Sequence, residues 1–332
     1  MKILAPIGSE SEVEMLAENG AGEFYSGVTP NEWIEKFSPG VWINRRNPFA
    51  GIASFQELKR LVERSHTYGI DVYLTLNAPY YIDAQYPLLI ELIKYCTEEI
   101  GIDAFVVSDI GLMVAMNEQV PSAKIHVSSV AASLNSGSLQ LYKQLGATRI
   151  VLPRSVQLLE IEQIKKVAGD EMEIEVFILN DGCVYEESFC MTTHNRVSAF
   201  CAQWQWDYEP LSSDGNKLIS EQERDKLAQE VKDYREYVWF VNDSGGKVDT
   251  KGLPLGPCGL CAIPKLYKIG VDSLKIVGRE GAAYRKLASL QVVHEIVSQV
   301  NRQIAPEKVK ENAQAIRNHP EFCQSGLMCY YR

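Results

Sequence analysis

The sequence predicts an α/β protein: a (βα)8 barrel of the TIM type, with a long insertion after the seventh strand and a short C-terminal tail. Three observations predict it. A Gly-led phrase recurs before apolar runs, eight such runs alternate with helical stretches, and the two longest connections follow strands rather than helices. Continuous apolar runs suit strands buried on both faces of a parallel sheet, and strand–helix alternation implies right-handed parallel units. Eight units over about 280 residues suggest closure into a barrel. An open doubly wound sheet is the alternative for the same alternation.

The first strand runs from Lys2 to Ala5. The phrase then appears as Gly20-Ala21-Gly22 before Glu23-Phe24-Tyr25, and as Gly69-Ile70-Asp71 before Val72-Tyr73-Leu74. It returns as Gly101-Ile102-Asp103 before Ala104 to Val107, Gly146-Ala147-Thr148 before Arg149 to Leu152, and Gly270-Val271-Asp272 before Ser273 to Val277. Glycine accepts the left-handed backbone that closes a helix. Strands five and seven, Lys124 to Val127 and Ile174 to Leu179, lack the phrase but carry the apolar run. Between strands, Ser9 with Glu12, Ser54 with Glu57, and Ser220 with Glu223 fit capping boxes that open helices. Residues 27–53 and 180–257 are the two long connections. Both follow strands, so both belong at the C-terminal mouth, where barrel enzymes build their sites. The second is aromatic-rich, with Trp204, Trp206, Tyr208 and Trp239 among others, and carries a helix from about Glu221 to Tyr237 and a hairpin turn at Ser244-Gly245-Gly246. The resulting division is a barrel over 1–300, including a cysteine-bearing insertion or lid at 180–260, and a tail over 301–332.

Among 332 residues, 46% are hydrophobic and 23% charged, and no apolar run reaches the length of a membrane helix. The N-terminus lacks a signal-peptide pattern, so a cytoplasmic protein is expected. The net charge of −10 disfavours nucleic acid as a partner, because phosphate contacts call for a basic face. Glycine-rich nucleotide loops, a Gly-x-Ser-x-Gly elbow and a His-Glu-x-x-His helix are all absent; His294-Glu295 lacks the second histidine.

Eight cysteines are present, and nearly all fall in the second half. Cys183, Cys190, Cys201, Cys258 and Cys261 all map to one end of the barrel. Thiolates in sets of four are the usual ligands of iron–sulfur clusters. Zinc is the competing metal, but it favours paired close knuckles, and only Cys258–Cys261 has that spacing. Cys96 reads as core. Cys323 and Cys329 lie beyond the barrel, either as free thiols or as ligands of something separate. His194 falls in the cysteine loop, suited to support a metal from behind its ligands. Asp109 and Asn77 end strands four and three, His126 lies in strand five, and Arg154 and Arg279 follow strands six and eight. With Arg45 and Arg46 in the 27–53 connection, these form the candidate site. Asp109, His126 and Arg154 are the candidate catalytic residues. Arg45, Arg46, Asn77 and Arg279 are the candidate substrate-binding ones, because arginine forks suit a carboxylate.

Several segments resemble the collagenase-like peptidases of family U-32. These are Leu4-Ala5-Pro6-Ile7-Gly8, Ser108-Asp109-Ile110-Gly111-Leu112, Leu145 to Arg154, Glu175-Val176-Phe177 leading to Cys183, Cys201-Ala202-Gln203, and Leu260-Cys261. Departures include Ser155, where the family usually has Glu, and Asn180-Asp181-Gly182 before Cys183. The resemblance implies a 4Fe-4S cluster on Cys183, Cys190, Cys201 and Cys261, with Cys258 as the alternative ligand. It also implies oxygen-independent hydroxylation, with prephenate as a possible hydroxyl donor, and it leaves open a peptidase or a non-catalytic iron–sulfur subunit beside a homologous partner. Similar members modify RNA bases or the ubiquinone ring. The acidic balance and the aromatic insertion favour a small aromatic or quinone-like substrate over RNA.

Overall fold

Each strand of a closed parallel barrel shows one set of side chains to the surrounding helices and the alternate set to the interior. The computed structural model describes residues 1–37, 42–46, 51–180, 183, 187–190, 211, 213–216, 220–244, 248–250 and 252–331, with backbone alone for 189 and 237–244. Eight parallel strands close in chain order: β1 (Lys2–Pro6), β2 (Glu23–Ser26), β3 (Asp71–Leu76), β4 (Ala104–Val107), β5 (Ile125–Val127), β6 (Ala147–Val151), β7 (Glu173–Leu179) and β8 (Ser273–Ile276). The seam pairs Lys2 with Ser273 and Leu4 with Lys275, which excludes an open sheet.

The helices are α1 (Val13–Glu18), α2 (Asn31–Phe37), α3 (Phe55–Thr67), α4 (Tyr86–Tyr95), α5 (Ile110–Gln119), α6 (Ser136–Gln144), α7 (Leu158–Ala168), α8 (Glu221–Ser244), α9 (Ile263–Ile269), α10 (Ala283–Asn301), α11 (Pro306–Arg317) and α12 (Pro320–Ser325). The Gly-led phrase acts as expected. Gly20 has φ 100°, and a Cβ there would lie 2.0 Å from the His294 ring. Two predicted caps form. Ser54 Oγ accepts the Glu57 N–H at 3.1 Å, and Ser220 and Glu223 exchange bonds through side chain and backbone. Ser9 makes no cap bond, because Glu12 is held by the buried Lys286 ammonium at 2.9 Å and receives the Gly8 N–H instead.

Outward side chains such as Phe24, Leu74, Phe105, Ile150, Ile174 and Leu274 join the helices in one apolar cluster. The interior differs. A small apolar group, Leu4, Tyr25, Tyr73, Ala104 and Val106, adjoins buried charges from facing strands. Arg149 of β6 donates to Glu23 of β2 at 2.6 and 2.9 Å, and to Glu175 at 3.2 Å. Lys275 meets Glu175 at 2.7 Å, and Ser273 and Tyr73 donate to Glu23, each at 2.7 Å. Such a network is tolerated because nearly every charge is paired.

Both long connections return to the strand they leave. The Ile52 N–H donates to the Gly27 carbonyl at 2.7 Å, closing the excursion after β2. After β7, the Asn180 N–H donates to Pro257 and the Gly259 N–H to Ile178, each at 2.8 Å. The C-terminal segment is packed rather than trailing. Val309 and Ala313 of α11 are buried in the main core, and Arg317 donates to the carbonyls of Pro254 and Gly256. Beyond α12 the chain adds a short parallel rung beside Cys258 at the barrel mouth. Among the described residues no helix is long and apolar enough to cross a membrane.

Candidate functional site

Side chains that follow β2, β3, β5 and β8 converge at the C-terminal mouth. Arg279, just past β8, is buried; its Nη1 donates to Thr75 Oγ1 at 2.5 Å and its Nη2 to Asn44 Oδ1 at 3.3 Å. Its guanidinium stands 5.9 Å from the Tyr25 ring centroid. Among the described residues no carboxylate lies within ion-pair distance of it. Burial, with Arg46 alongside, pulls Arg279 down to about 10. It therefore remains a cation at neutral pH, and an incoming anion would relieve its poorly compensated charge. Gly27 makes this approach possible, since a Cβ there would lie 2.5 Å from Arg279 Nη1.

The 42–46 segment brings the other arginines. The Arg45 N–H donates to Asn77 Oδ1 at 3.3 Å, while Asn77 Nδ2 donates to Ser128 Oγ at 3.3 Å. Arg45 Nη2 donates to Cys190 Sγ at 3.3 Å, and its buried Nη1 has no hydrogen-bond partner among the described residues. Arg46 lies 3.8 Å from Glu280. The four predicted substrate-binding residues, Arg45, Arg46, Asn77 and Arg279, thus share one wall of the mouth.

The three predicted catalytic residues stand apart from one another. Asp109 is engaged in local structure: its oxygens accept the Leu112 N–H at 2.6 Å, the Tyr86 hydroxyl at 2.7 Å and the Tyr81 N–H at 3.1 Å, so it caps α5 and anchors the β3 loop. Arg154 ion-pairs with Glu187, donates its N–H to the same carboxylate at 3.0 Å and lies 4.3 Å over the Phe177 ring. Its role in this arrangement is to hold the 187–190 turn, and with it Cys190, against β6. His126 lies deeper, edge-on to Tyr73 with centroids 4.5 Å apart, and its Nδ1 is buried without a partner. Burial, then the nearby cations Arg149 and Lys275, depresses its pKa well below the usual histidine value, so the ring is neutral.

Cys183 and Cys190 are half-buried, while Cys201 and His194 lie outside the described residues. Cys258 sits on the rung beside β7. Cys261 is exposed in the turn Leu260–Ala262. Among the described residues no three Cys, His, Asp or Glu side chains are gathered at metal-ligand geometry. The described members of the expected cluster set, Cys183, Cys190 and Cys261, are therefore not gathered at one centre.

Sequence reasoning missed Asn44, Thr75, Ser128 and Glu187, which hold the named arginines and Asn77. It also missed the interior ionic network. A signal for the network existed: Glu23, Arg149, Glu175 and Lys275 interrupt apolar strands, and Glu173-Ile174-Glu175 and Ser273-Leu274-Lys275 show the alternation of a polar interior face.

Residues 8–331 match the model of peptidase family U32. The tRNA hydroxylation protein P of Escherichia coli (strain K12) is 25% identical over 324 residues, covering 89% of this chain and 67% of that protein. The tRNA hydroxylation protein P1 of Bacillus subtilis (strain 168) is 24% identical over 304 residues, covering 89% of this chain and 63% of that protein. The 23S rRNA 5-hydroxycytidine C2501 synthase of Escherichia coli (strain K12) is 28% identical over 147 residues, 43% of this chain and 21% of that protein. The chain spans about two thirds of the length of the first two relatives. These relatives correct two expectations, the preference for a small aromatic or quinone-like substrate and the disfavour of nucleic acid, since all three are named for tRNA or rRNA. The physical reason is that a net charge of −10 sums the whole surface, whereas recognition depends on the local field, and arginines collect at the mouth.

Proposed function

The chain belongs to peptidase family U32, and from that premise we propose that it acts in the hydroxylation of a base in a structured RNA. The observation that carries this reading is the likeness to two tRNA hydroxylation proteins over 89% of the chain. The mouth supports it chemically. A base inside a helix cannot reach the end of a barrel, so the target is a loop base or one turned out of its stack. Arg279 and the free Nη1 of Arg45 offer paired cations for a phosphate of that nucleotide, or for the carboxylate of a donor such as prephenate. Asn77, Ser128 and Thr75 provide donors and acceptors suited to the edge of a pyrimidine. Neutral His126, with a buried ring nitrogen that has no partner among the described residues, offers a hydrogen-bonding group rather than a proton acceptor, because its charged form is penalised.

The test is nucleoside mass spectrometry of total tRNA and rRNA. A deletion strain is compared with the same strain carrying the wild-type chain, Arg279→Met or Arg45→Met. The expected result is a nucleoside one oxygen heavier than its parent that disappears on deletion, returns with the wild type and is at least tenfold lower with either variant. Identical nucleoside profiles in the deletion and parent strains would remove the reading.

A further inference from the structure

We propose that Tyr330, carried by the C-terminal segment, is a specificity-determining residue of the mouth: its ring closes one side of the space that receives the base and so sets the width of ring admitted. The assignment rests on an RNA base as the target.

The inward-facing positions divide the mouth into two unlike halves. Successive residues of a strand alternate faces. Thr75 and Asn77 therefore continue the inward face of Tyr73, Ser108 that of Val106, and Ser128 that of His126, which packs on Tyr73. This half is polar and linked: Ser108 Oγ donates to the Asn77 carbonyl at 3.4 Å, and Asn77 Nδ2 to Ser128 Oγ at 3.3 Å. On the opposing side, Val151, Phe177 and Val277 continue the inward faces of Arg149, Glu175 and Lys275, and this half is apolar.

Tyr330 joins the apolar half from outside the barrel strands. It is buried with Val151 and Phe177, and Val277 packs beside them. Its ring centroid stands 6.3 Å from that of Phe177, with the planes inclined at 31°. The ring is held from several directions. The Tyr330 N–H donates to the Cys258 carbonyl at 3.1 Å, Gln157 Nε2 donates to the Tyr330 carbonyl at 3.2 Å, and the Tyr330 hydroxyl donates to the Asn180 carbonyl. That acceptor is itself fixed, because the Asn180 N–H donates to Pro257 at 2.8 Å and its Nδ2 to Ser289 Oγ at 3.0 Å. Tyr331 adds a bond from its hydroxyl to the Phe177 carbonyl at 2.6 Å, and Gly259 leaves room for its ring, since a Cβ there would lie 2.9 Å away. A ring tied through amide, carbonyl and hydroxyl is a wall of set position rather than a lid.

A nucleobase has a hydrogen-bonding edge and apolar faces. It fits this mouth in one sense, with its edge toward Asn77 and Ser128 and its body toward Phe177 and Tyr330. Because Tyr330 comes from outside the strands, shortening it widens the mouth and leaves the polar half in place. The width it sets takes a pyrimidine, and the larger purine needs the space that its ring fills.

The test is equilibrium binding of cytidine and adenosine 5′-monophosphates to the purified full chain. Wild type, Tyr330→Phe, Tyr330→Leu and Tyr330→Ala are compared, with circular dichroism to establish that each is folded. The wild type and Tyr330→Phe should favour the cytidine nucleotide by about tenfold, since Phe keeps the ring and loses one hydrogen bond. Tyr330→Ala should bind the adenosine nucleotide about tenfold more tightly than the wild type does, with Tyr330→Leu between them. A merely structural tyrosine would weaken both nucleotides together. An unchanged preference in the folded Leu and Ala variants, loss of both nucleotides, or no binding by the wild type would overturn the assignment. Nucleoside mass spectrometry of the deletion strain separates that failure from failure of the RNA hydroxylation reading. An oxygenated nucleoside that still depends on the chain leaves hydroxylation standing and removes the role of Tyr330 alone.

Discussion

His126 shows how a single residue's surroundings set its chemistry. In the strand sequence Ile125-His126-Val127 it reads as a core position or an inward-pointing base. The structure adds Arg149 and Lys275 beside it and removes water, so the charged ring is penalised. The consequence for stability has a definite sign. Because the folded pKa is depressed, the unfolded chain takes up a proton first as pH falls below the ordinary histidine value. Stability is therefore full above about pH 6.5 and declines below it, by up to about 1.4 kcal/mol per pH unit for this one group. His126→Gln should flatten that part of the profile. Urea midpoints measured between pH 7 and pH 5 check it, and equal slopes for the two proteins would show that His126 titrates normally.

Elements were read best where the local chemistry is self-contained. The Gly-led phrase marks real helix ends because the left-handed backbone is a property of the residue itself, and Ser54 caps α3 because donor and acceptor are three residues apart. The same Ser-x-x-Glu pattern failed at Ser9, where a lysine 274 residues away takes the glutamate. Ser54→Ala should accordingly cost about 1 kcal/mol, and Ser9→Ala close to nothing, in chemical denaturation. Equal losses would mean that Ser9 caps in solution. Asp109 teaches a related lesson. Its place at the end of β4 suggested chemistry, yet its oxygens are occupied by the first turn of α5 and by Tyr81 and Tyr86, partners on another loop.

At the scale of the molecule, the barrel interior joins strands that are far apart in sequence. Arg149 on β6 bonds Glu23 on β2 across the barrel, and β7 and β8 contribute Glu175 and Lys275. Removing the central cation leaves buried carboxylates unpaired, so Arg149→Met should cost about 3–5 kcal/mol. Glu23 would also lose the guanidinium that holds its pKa down against burial. Thermal and urea unfolding measure the loss, and a change under 1 kcal/mol would mean that the network rearranges. The same scale explains the C-terminal segment. Its thirty-odd residues looked like an appendage, but α11 buries Val309 in the main core and Arg317 grips the approach to Cys258.

The sequence by itself determined the order and kind of the elements and the end at which the long connections lie, while closure was decided by the pairing of β1 with β8. Order, kind and end follow from properties repeated along the chain: alternation, apolar runs and glycine stops. The sequence also put Asn77, Arg154 and Arg279 at the mouth, because residues just past parallel strands must share that end. Only the tertiary structure decided which side chains meet: Thr75 and Asn44 with Arg279, Glu187 with Arg154, and Cys258 with Cys329. Those pairings join positions 33 to 235 residues apart. No local periodicity records such a contact, since it exists only once closure of the sheet has brought the partners together.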